Sequence, residues 1–286
     1  YGFKKIERYK INNCLETMKN RGPDSNGTKF FKYKNKFTGF LHSRLKIIDL
    51  FDRSNQPFTI NGYTIIFNGE IYNFNEIKKK LISKGYKFKT KSDTEVLLYN
   101  FIEKKFKAFS DFEGMWSLAI WDDNKKELIL SRDRFGQKPL YYFWDEQNFY
   151  FGSQINQILA LSKNNNPFNN QKILDYLGSG YRVLFKNDET FYKNIYNFPQ
   201  SSYAVIKDKN LSIKKYWKLS SKINYKLNFN DAKIELKYLL NESVKNCLVS
   251  DQKVSMMLSG GVDSNIIYQL INNQIGQEIS TFSIID

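Results

Sequence analysis

Cysteine and histidine are scarce in this 286-residue sequence, which holds two cysteines, Cys14 and Cys247, and one histidine, His42. Two thiols are too few for the disulfide framework of a small secreted protein, and one imidazole with two distant thiols does not make a zinc site. Long apolar runs are lacking too. The longest, MWSLAIW at 115–121, falls far short of the roughly 20 residues that span a bilayer, and the opening YGFKKIERYK has no apolar stretch of the signal-peptide kind. The expectation is a protein of the reducing cytoplasm with no membrane partner. Negative charge is also short, with 29 acidic against 44 Lys and Arg residues and a formal net charge of +15. Such an excess suits phosphate neutralisation. The lysines, however, are spread along the whole chain without a run of five or six and without a basic and aromatic stripe. The charge is read as compositional bias, and no nucleic-acid partner is expected.

What is present is patterned. A chain of this length suits two domains. Residues 6–20 carry Ile11, Leu15 and Met18 at helical spacing, with Cys14 beside them as a core thiol. TGFLHSRLKIIDL (38–50) and YTIIFNGEIYN (63–73) read as strands, the second running into an Asn-Gly turn. FNEIKKKLISKGYKF is an amphipathic helix stopped by Gly85, and SDTEVLLYNFIEKKF is a second helix with Ser92 and Glu95 in capping-box spacing. Hairpins follow around DDNK, around DEQN and in SYAVIKDKNLSIKKYW. These elements predict a sheet-rich α+β domain with helices covering its sheets. After NYKLNFN the pattern changes to one long helix, capped by Asn230 and carrying Ile234, Leu236, Leu239, Leu240 and Val244. KVSMML then reads as a buried strand, NIIYQLINN as a helix and EISTFSIID as a further strand, the opening unit of a doubly wound parallel sheet.

Between that strand and helix lies LSGGVDS (258–264). Gly260 and Gly261 let the backbone approach an anion, and the helix start offers N–H groups to phosphate. The Ser259 and Ser264 hydroxyls can donate to phosphate oxygens, and Asp263 can hold Mg²⁺. No Lys follows the glycines and the third Gly of GxGxxG is missing, so neither common nucleotide motif applies. The plain alternative is a tight turn without a ligand. The string SGGVDS resembles the pyrophosphate loop of ATP pyrophosphatases, which cleave ATP between the α and β phosphates and adenylate a substrate.

The earlier residues suit amide chemistry. Hydrolysis through a tetrahedral intermediate needs oxyanion donors, and the Asn68 amide beside the Gly69 N–H can supply two. Arg44 has the fork for an α-carboxylate, while Glu70 and Asp93 can take an α-ammonium. Each residue also has a plain reading: Arg44 in a surface ion pair, Asn68 and Gly69 in a hairpin turn, and Asp93 at a helix cap.

The strings RGPDS, LHSRLKIIDL, QPF, NGEIYN, SDTEVLL, AIWD, RDRFGQKPLYY and FGSQI keep one order along the chain. With LSGGVDS and TFSI they resemble the glutamine-hydrolysing asparagine synthetase family over nearly the whole length. The resemblance implies a four-layer αββα N-terminal-nucleophile glutaminase sandwich over 1–217 and the start of a doubly wound ATP-pyrophosphatase domain over 228–286. It implies glutamine bound by Arg44, Leu45, Ile47, Ile48, Asn68, Gly69, Glu70 and Asp93. ATP would lie on Leu258, Ser259, Gly260, Gly261, Asp263, Ser264 and Ile284, with Mg²⁺ at Asp263.

In that family an N-terminal Cys attacks glutamine, with its own α-amine as the base, so His42 is expected to be structural. The sequence starts at Tyr1, and neither Cys14 nor Cys247 fits the nucleophile, so the expectation is a segment cut at both ends that is inactive by itself. Departures from the family pattern are Gln154 in place of Glu and Asn265 in place of a small residue. The implied reaction is glutamine- and ATP-dependent amidation of a carboxylate, aspartate to asparagine, through an acyl-adenylate and channelled ammonia, with a homodimer as an open arrangement. One rival keeps the chemistry and takes a sugar uronic acid as acceptor. Another, of a different class, is an inactive nucleotide- or RNA-binding module.

Overall fold

The computed structural model describes residues 1–3, 5–145, 147–162, 167–221, 227–276 and 278–284. In chain order, α1 (Arg8–Met18) precedes the hairpin β1 (Ser25–Tyr33) and β2 (Lys36–Arg44). β3 (Phe58–Ile60), β4 (Tyr63–Ile71), α2 (Phe74–Ile82), α3 (Asp93–Lys104) and α4 (Ala108–Asp111) follow. Next come β5 (Gly114–Asp122), β6 (Glu127–Arg132), β7 (Tyr141–Trp144), β8 (Phe149–Gly152), α5 (Ile155–Leu161) and α6 (Asn170–Ser179). Then come β9 (Ile195–Asn197), β10 (Ser202–Lys207) and β11 (Asn210–Lys215), and finally α7 (Phe229–Cys247), β12 (Ser255–Met257), α8 (Val262–Gln269) and β13 (Ser280–Phe282). Residues 1–46 and 51–218 form one compact unit, and 47–50 with 219–286 form a second.

The first unit is built on period-two burial. Its larger sheet is antiparallel, in the order β11-β10-β6-β5-β4-β3, and a smaller antiparallel sheet has the order β8-β7-β9. On β5, Trp116, Leu118 and Ile120 point to one face, opposite Gly69, Phe67 and Ile65 of β4. That face is covered by α3, and α2 packs on α3. Val96, Leu97, Leu98 and Phe101 of α3 are fully buried with Trp116 and Ile65. Each such side chain contributes about 1.5–3 kcal/mol by leaving water.

The other face of β5, with Ala119 and Trp121, meets Leu128 and Leu130 of β6, Ala204 and Ile206 of β10, Phe40 of β2 and Phe149 of β8 in a second core between the sheets. Beyond the smaller sheet, Phe143, Tyr150, Ile158 and Ile195 form a third core under α5, against which α1 also packs. Helices, sheet, sheet and helices give the four-layer αββα sandwich.

In the second unit, β12 and β13 pair in parallel with Ser255 opposite Ser280, and α8 lies between them in sequence, a strand-helix-strand start of an α/β sheet. β12 was expected to be buried. Its ladder has one neighbour and Met257 is 62% exposed, so burial does not accompany the strand among the described residues.

Four local expectations need correction. The strand expected over 38–50 ends at Arg44, because Lys46 turns its N–H onto the Asp24 carboxylate at 2.8 Å. The Asn68-Gly69 pair lies inside β4 and not in a turn, paired opposite Ser117 and Trp116. Ser92 does cap α3, accepting from the Thr94 N–H at 3.1 Å, but Glu95 does not complete a capping box. Its carboxylate instead takes the N–H groups of Lys89 and Thr90 and the Thr90 hydroxyl. The long helix is capped by Asn228, whose side chain accepts from the Asp231 N–H at 2.9 Å, while Asn230 lies within the first turn.

Candidate active site

Asn68, Gly69 and Glu70 of the expected amide-chemistry residues follow one another on β4, next to the edge strand β3 of the larger sheet. Even-numbered residues of β4 face the space between the sheets, so Asn68 follows Ile66 toward the smaller sheet. There the Asn68 Nδ2 donates to the Ser153 hydroxyl, just past β8, at 3.0 Å. Gly69 has no room for a side chain, since a Cβ there would collide with the Met115 carbonyl oxygen and the Trp116 backbone. Strand β4 is further fixed by the QPF segment, in which Gln56 accepts the Phe67 N–H at 2.6 Å and donates to the Thr94 hydroxyl at 3.3 Å.

His42 donates from Nε2 to the Phe67 carbonyl at 3.2 Å, one residue before Asn68. Burial pulls its pKa down to about 4, so the ring is neutral at physiological pH, and its Nδ1 is enclosed without a partner. The imidazole is thus neutral and committed to a strand carbonyl.

Charged groups gather at the open end of β4. Asp93, the first residue of α3, is buried, and its Oδ2 accepts the Ile71 N–H at 3.0 Å. Burial raises its pKa to about 6 against that hydrogen bond, and the nearby Glu70 carboxylate pushes the same way. Glu70 is itself raised by burial, with the Lys138 ammonium pulling it back. Lys138 is lowered by burial while Glu70 holds it up. Two partly desolvated carboxylates next to each other are an arrangement that an ammonium ligand relieves.

Arg44 ends β2. Its Nη1 donates to the Phe51 carbonyl and to the Asn55 Oδ1, both at 3.0 Å, so the guanidinium is buried and aimed by the loop that follows. Leu45, the next residue, is exposed. Ile47 and Ile48 are half-buried in a turn held within the second unit, where Asp251 donates its N–H to the Ile47 carbonyl at 3.0 Å and accepts the Asp49 N–H at 2.8 Å. The structure therefore brings Asn68, Gly69, Glu70 and Asp93 together on one strand and the helix start beside it, and places Leu45, Ile47 and Ile48 in the turns after Arg44.

The sequence reading missed the segment that holds Lys138. Asp133, fully buried, accepts N–H groups from Phe135 and Gln137 on one carboxylate oxygen and from Trp116 and Lys138 on the other, at 2.9–3.2 Å. Arg132 donates to the carbonyls of Gly136, Lys138 and Phe198 at 2.7–2.9 Å. This double clamp fastens RDRFGQK to Trp116, the register partner of Gly69. The string itself was visible, but no local rule marks a carboxylate that serves four backbone donors.

In the second unit, Leu258 donates its N–H to Phe282 at 2.8 Å, and Ser283 donates its hydroxyl to the Leu258 carbonyl at 2.7 Å. Gly260 turns with φ +77, a left-handed conformation that favours glycine, and the space above its Cα is open. Gly261 is the N-cap of α8, and Asp263 lies in the first turn. The Ser259 and Ser264 hydroxyls lie 3.1 Å apart, and Ser264 and Asn265 both donate to the Gly261 carbonyl at 3.0 and 2.9 Å. Ile284 is exposed just past β13. An open glycine turn with hydroxyls at a helix start fits phosphate oxygens. One carboxylate fits Mg²⁺ held mainly by phosphates and water, and no group of three metal-ligating side chains occurs among the described residues.

Residues 1–217 match the family model described as a glutamine amidotransferase domain, and residues 235–285 match the one described as asparagine synthase. Residues 1–217 thus form a glutamine amidotransferase domain with the four-layer fold of the N-terminal-nucleophile class. The chain belongs to the glutamine-hydrolysing asparagine synthetase family. It is 32% identical to the putative asparagine synthetase [glutamine-hydrolyzing] 2 of Methanocaldococcus jannaschii, over 98% of this chain and 57% of that protein. Against asparagine synthetase [glutamine-hydrolyzing] 2 of Bacillus subtilis the identity is 34%, over 96% of this chain and 37% of that protein. The chain spans about half the length or less of the curated relatives it matches. A solved glutamine PRPP amidotransferase from B. subtilis shares the fold, with a TM-score of 0.54 at 15% identity over 99% of this chain and 64% of that one. Among the described residues, no helix is long and apolar enough to cross a membrane.

Proposed function

We propose that the protein transfers the amide nitrogen of glutamine to a carboxylate at the expense of ATP, and that the carboxylate is aspartate. The observation that carries the reading is the convergence of Asn68, Gly69, Glu70 and Asp93 at one end of β4 in a domain of the glutamine amidotransferase family. Asn68 Nδ2 and the Gly69 N–H stabilise the oxyanion, Glu70 and Asp93 take the α-ammonium, and Arg44 takes the α-carboxylate. Residues 1–217 act as the glutaminase domain and 228–286 as the start of the ATP-binding domain.

Leu258 to Gly261, Ser264 and Ile284 hold ATP, and Asp263 holds Mg²⁺ by its carboxylate. Bound Mg-ATP supplies activation of the acceptor carboxylate as an acyl-adenylate. The chain's own part is to present backbone N–H groups and two hydroxyls to phosphate. Ammonia from the first site is consumed at the second. The same reading places the protein in the cytoplasm and allows a homodimer.

The test is made on the product of the complete open reading frame, supplied with glutamine, Mg-ATP and either aspartate or a sugar uronic acid. Asparagine with stoichiometric pyrophosphate supports the proposal. Amidation of the uronic acid alone moves it to the other acceptor. RNA binding with a steep salt dependence, and no pyrophosphate exchange, replaces it with the binding-module reading.

A further inference from the structure

An oxyanion donor works only if its direction is fixed before charge develops, because reorienting a dipole during the reaction forfeits part of its benefit. A side-chain amide on a strand rotates about χ1 and χ2, and nothing on β4 itself fixes Asn68. The contact that does so comes from 85 positions away: Nδ2 of Asn68 donates to the Ser153 hydroxyl at 3.0 Å. An amide nitrogen carries two hydrogens, so one committed to Ser153 leaves the other directed elsewhere.

Ser153 is itself held. It is half-buried between β8 and the start of α5, where Gln154 and Gln157 form a reciprocal capping box and Gln157 is buried. Gln154, the residue that departs from the family pattern, thus anchors the turn that carries Ser153.

We propose that Ser153 is a positioning residue for the oxyanion-stabilising amide of Asn68: its hydroxyl takes one Nδ2 hydrogen and so aims the other at the developing negative charge. The proposal rests on the glutaminase reading of Asn68. Ser153 touches no reacting atom and acts through Asn68 alone. Threonine keeps the hydroxyl and serves in its place, whereas alanine leaves the amide free to rotate.

Two measurements test this. In the chain labelled with ¹⁵N-asparagine, the Asn68 side-chain pair, assigned by its disappearance in Asn68→Asp, shows two distinct and slowly exchanging hydrogens. Ser153→Ala moves them toward free-amide values and speeds their exchange, and Ser153→Thr restores them. In the product of the complete open reading frame, Ser153→Ala lowers glutaminase kcat about tenfold with an unchanged KM for glutamine, and has no further effect in an Asn68→Ala background. Amide signals unchanged in Ser153→Ala, or losses that add in the double variant, overturn the positioning role. A kcat unchanged by Asn68→Ala itself overturns the oxyanion reading of Asn68 instead.

Discussion

The two candidate sites of this chain are built in opposite ways. In the first unit three of the expected side chains are fastened by protein partners: Asn68 meets Ser153, Arg44 meets Phe51 and Asn55, and Asp93 meets the Ile71 N–H. The 258–264 turn is open, and its bonds run among its own hydroxyls, carbonyls and the adjoining strand end. The difference follows from the chemistry each would perform. Stabilising an oxyanion and sorting an amino acid by its charges requires fixed dipoles in a medium of low dielectric, which only a packed scaffold provides. Receiving a phosphate chain requires a helix start and a turn without side chains, and the ligand brings its own charge and rigidity.

The sharpest way to break this comparison is to remove the deepest fastening of the first site. Asp133→Asn keeps one oxygen acceptor but turns an NH₂ group toward either the Phe135 and Gln137 donors or the Trp116 and Lys138 donors. Two buried or part-buried N–H groups then lose their acceptor, at about 1–3 kcal/mol each. Chemical denaturation of the first unit should show a loss of about 3 kcal/mol or more. Asp263→Asn, exposed in the first turn of α8, should leave the same transition where it is. Equal effects of the two would erase the distinction between a fastened and an open site.

What the sequence made legible follows the range of the interactions. Hairpin turns were readable because their carboxylates act within three residues: Asp122 accepts from Asn124 and Lys125, and Asp145 accepts from Gln147 and Asn148. Ser92 was readable as a cap for the same reason. The error at Glu95 shows the limit, since its carboxylate found closer donors in the preceding loop than the cap offered. Asn68-Gly69 looked like a turn because the dipeptide favours one in isolation. Its strand conformation is imposed by β5 across the sheet, where no side chain fits at Gly69. Ser153 was invisible as a fastening because its partner Asn68 lies on a distant strand, and Asp133 because its carboxylate joins a local loop to Trp116 of β5. Motif resemblance located these strings but left the physics that joins them unread.

A second effect, of intermediate size, concerns charge in the packed site. Burial and the Glu70 carboxylate raise Asp93 from 3.8 to about 6. Between those values the folded chain holds a proton that the unfolded chain has released, so the contribution of Asp93 to stability is greatest below about 4 and declines as pH rises through about 6. The ammonium of glutamine needs the ionised form. Affinity should therefore fall by up to tenfold per pH unit on acidification below about 6, as measured by calorimetry across pH 5 to 8. Asp93→Asn should bind weakly and without this dependence. The charge that acts on Asp93 is the Glu70 carboxylate, on which the Lys138 ammonium acts in turn. The open turn supplies the contrast, because nucleotide binding there should not follow the same titration.

A small expected change in stability belongs to Gly260, and this position tests whether the open turn is preorganised at all. Its φ of +77 is comfortable for glycine and strained for alanine by about 1 kcal/mol, while the space a Cβ would occupy holds no other atom. Gly260→Ala should therefore fold nearly as well as the parent chain, because nothing is displaced and an exposed turn can relax. Its cost should appear in binding. A methyl group standing in the space left for phosphate oxygens would block their approach to the backbone N–H groups, so thermal protection by ATP with Mg²⁺ should be lost in the variant and retained in the parent. Retained protection in Gly260→Ala would mean that the nucleotide does not use this turn. Lost folding would mean that the turn is a structural fastening like Asp133, and the contrast between the two regions would then be one of degree.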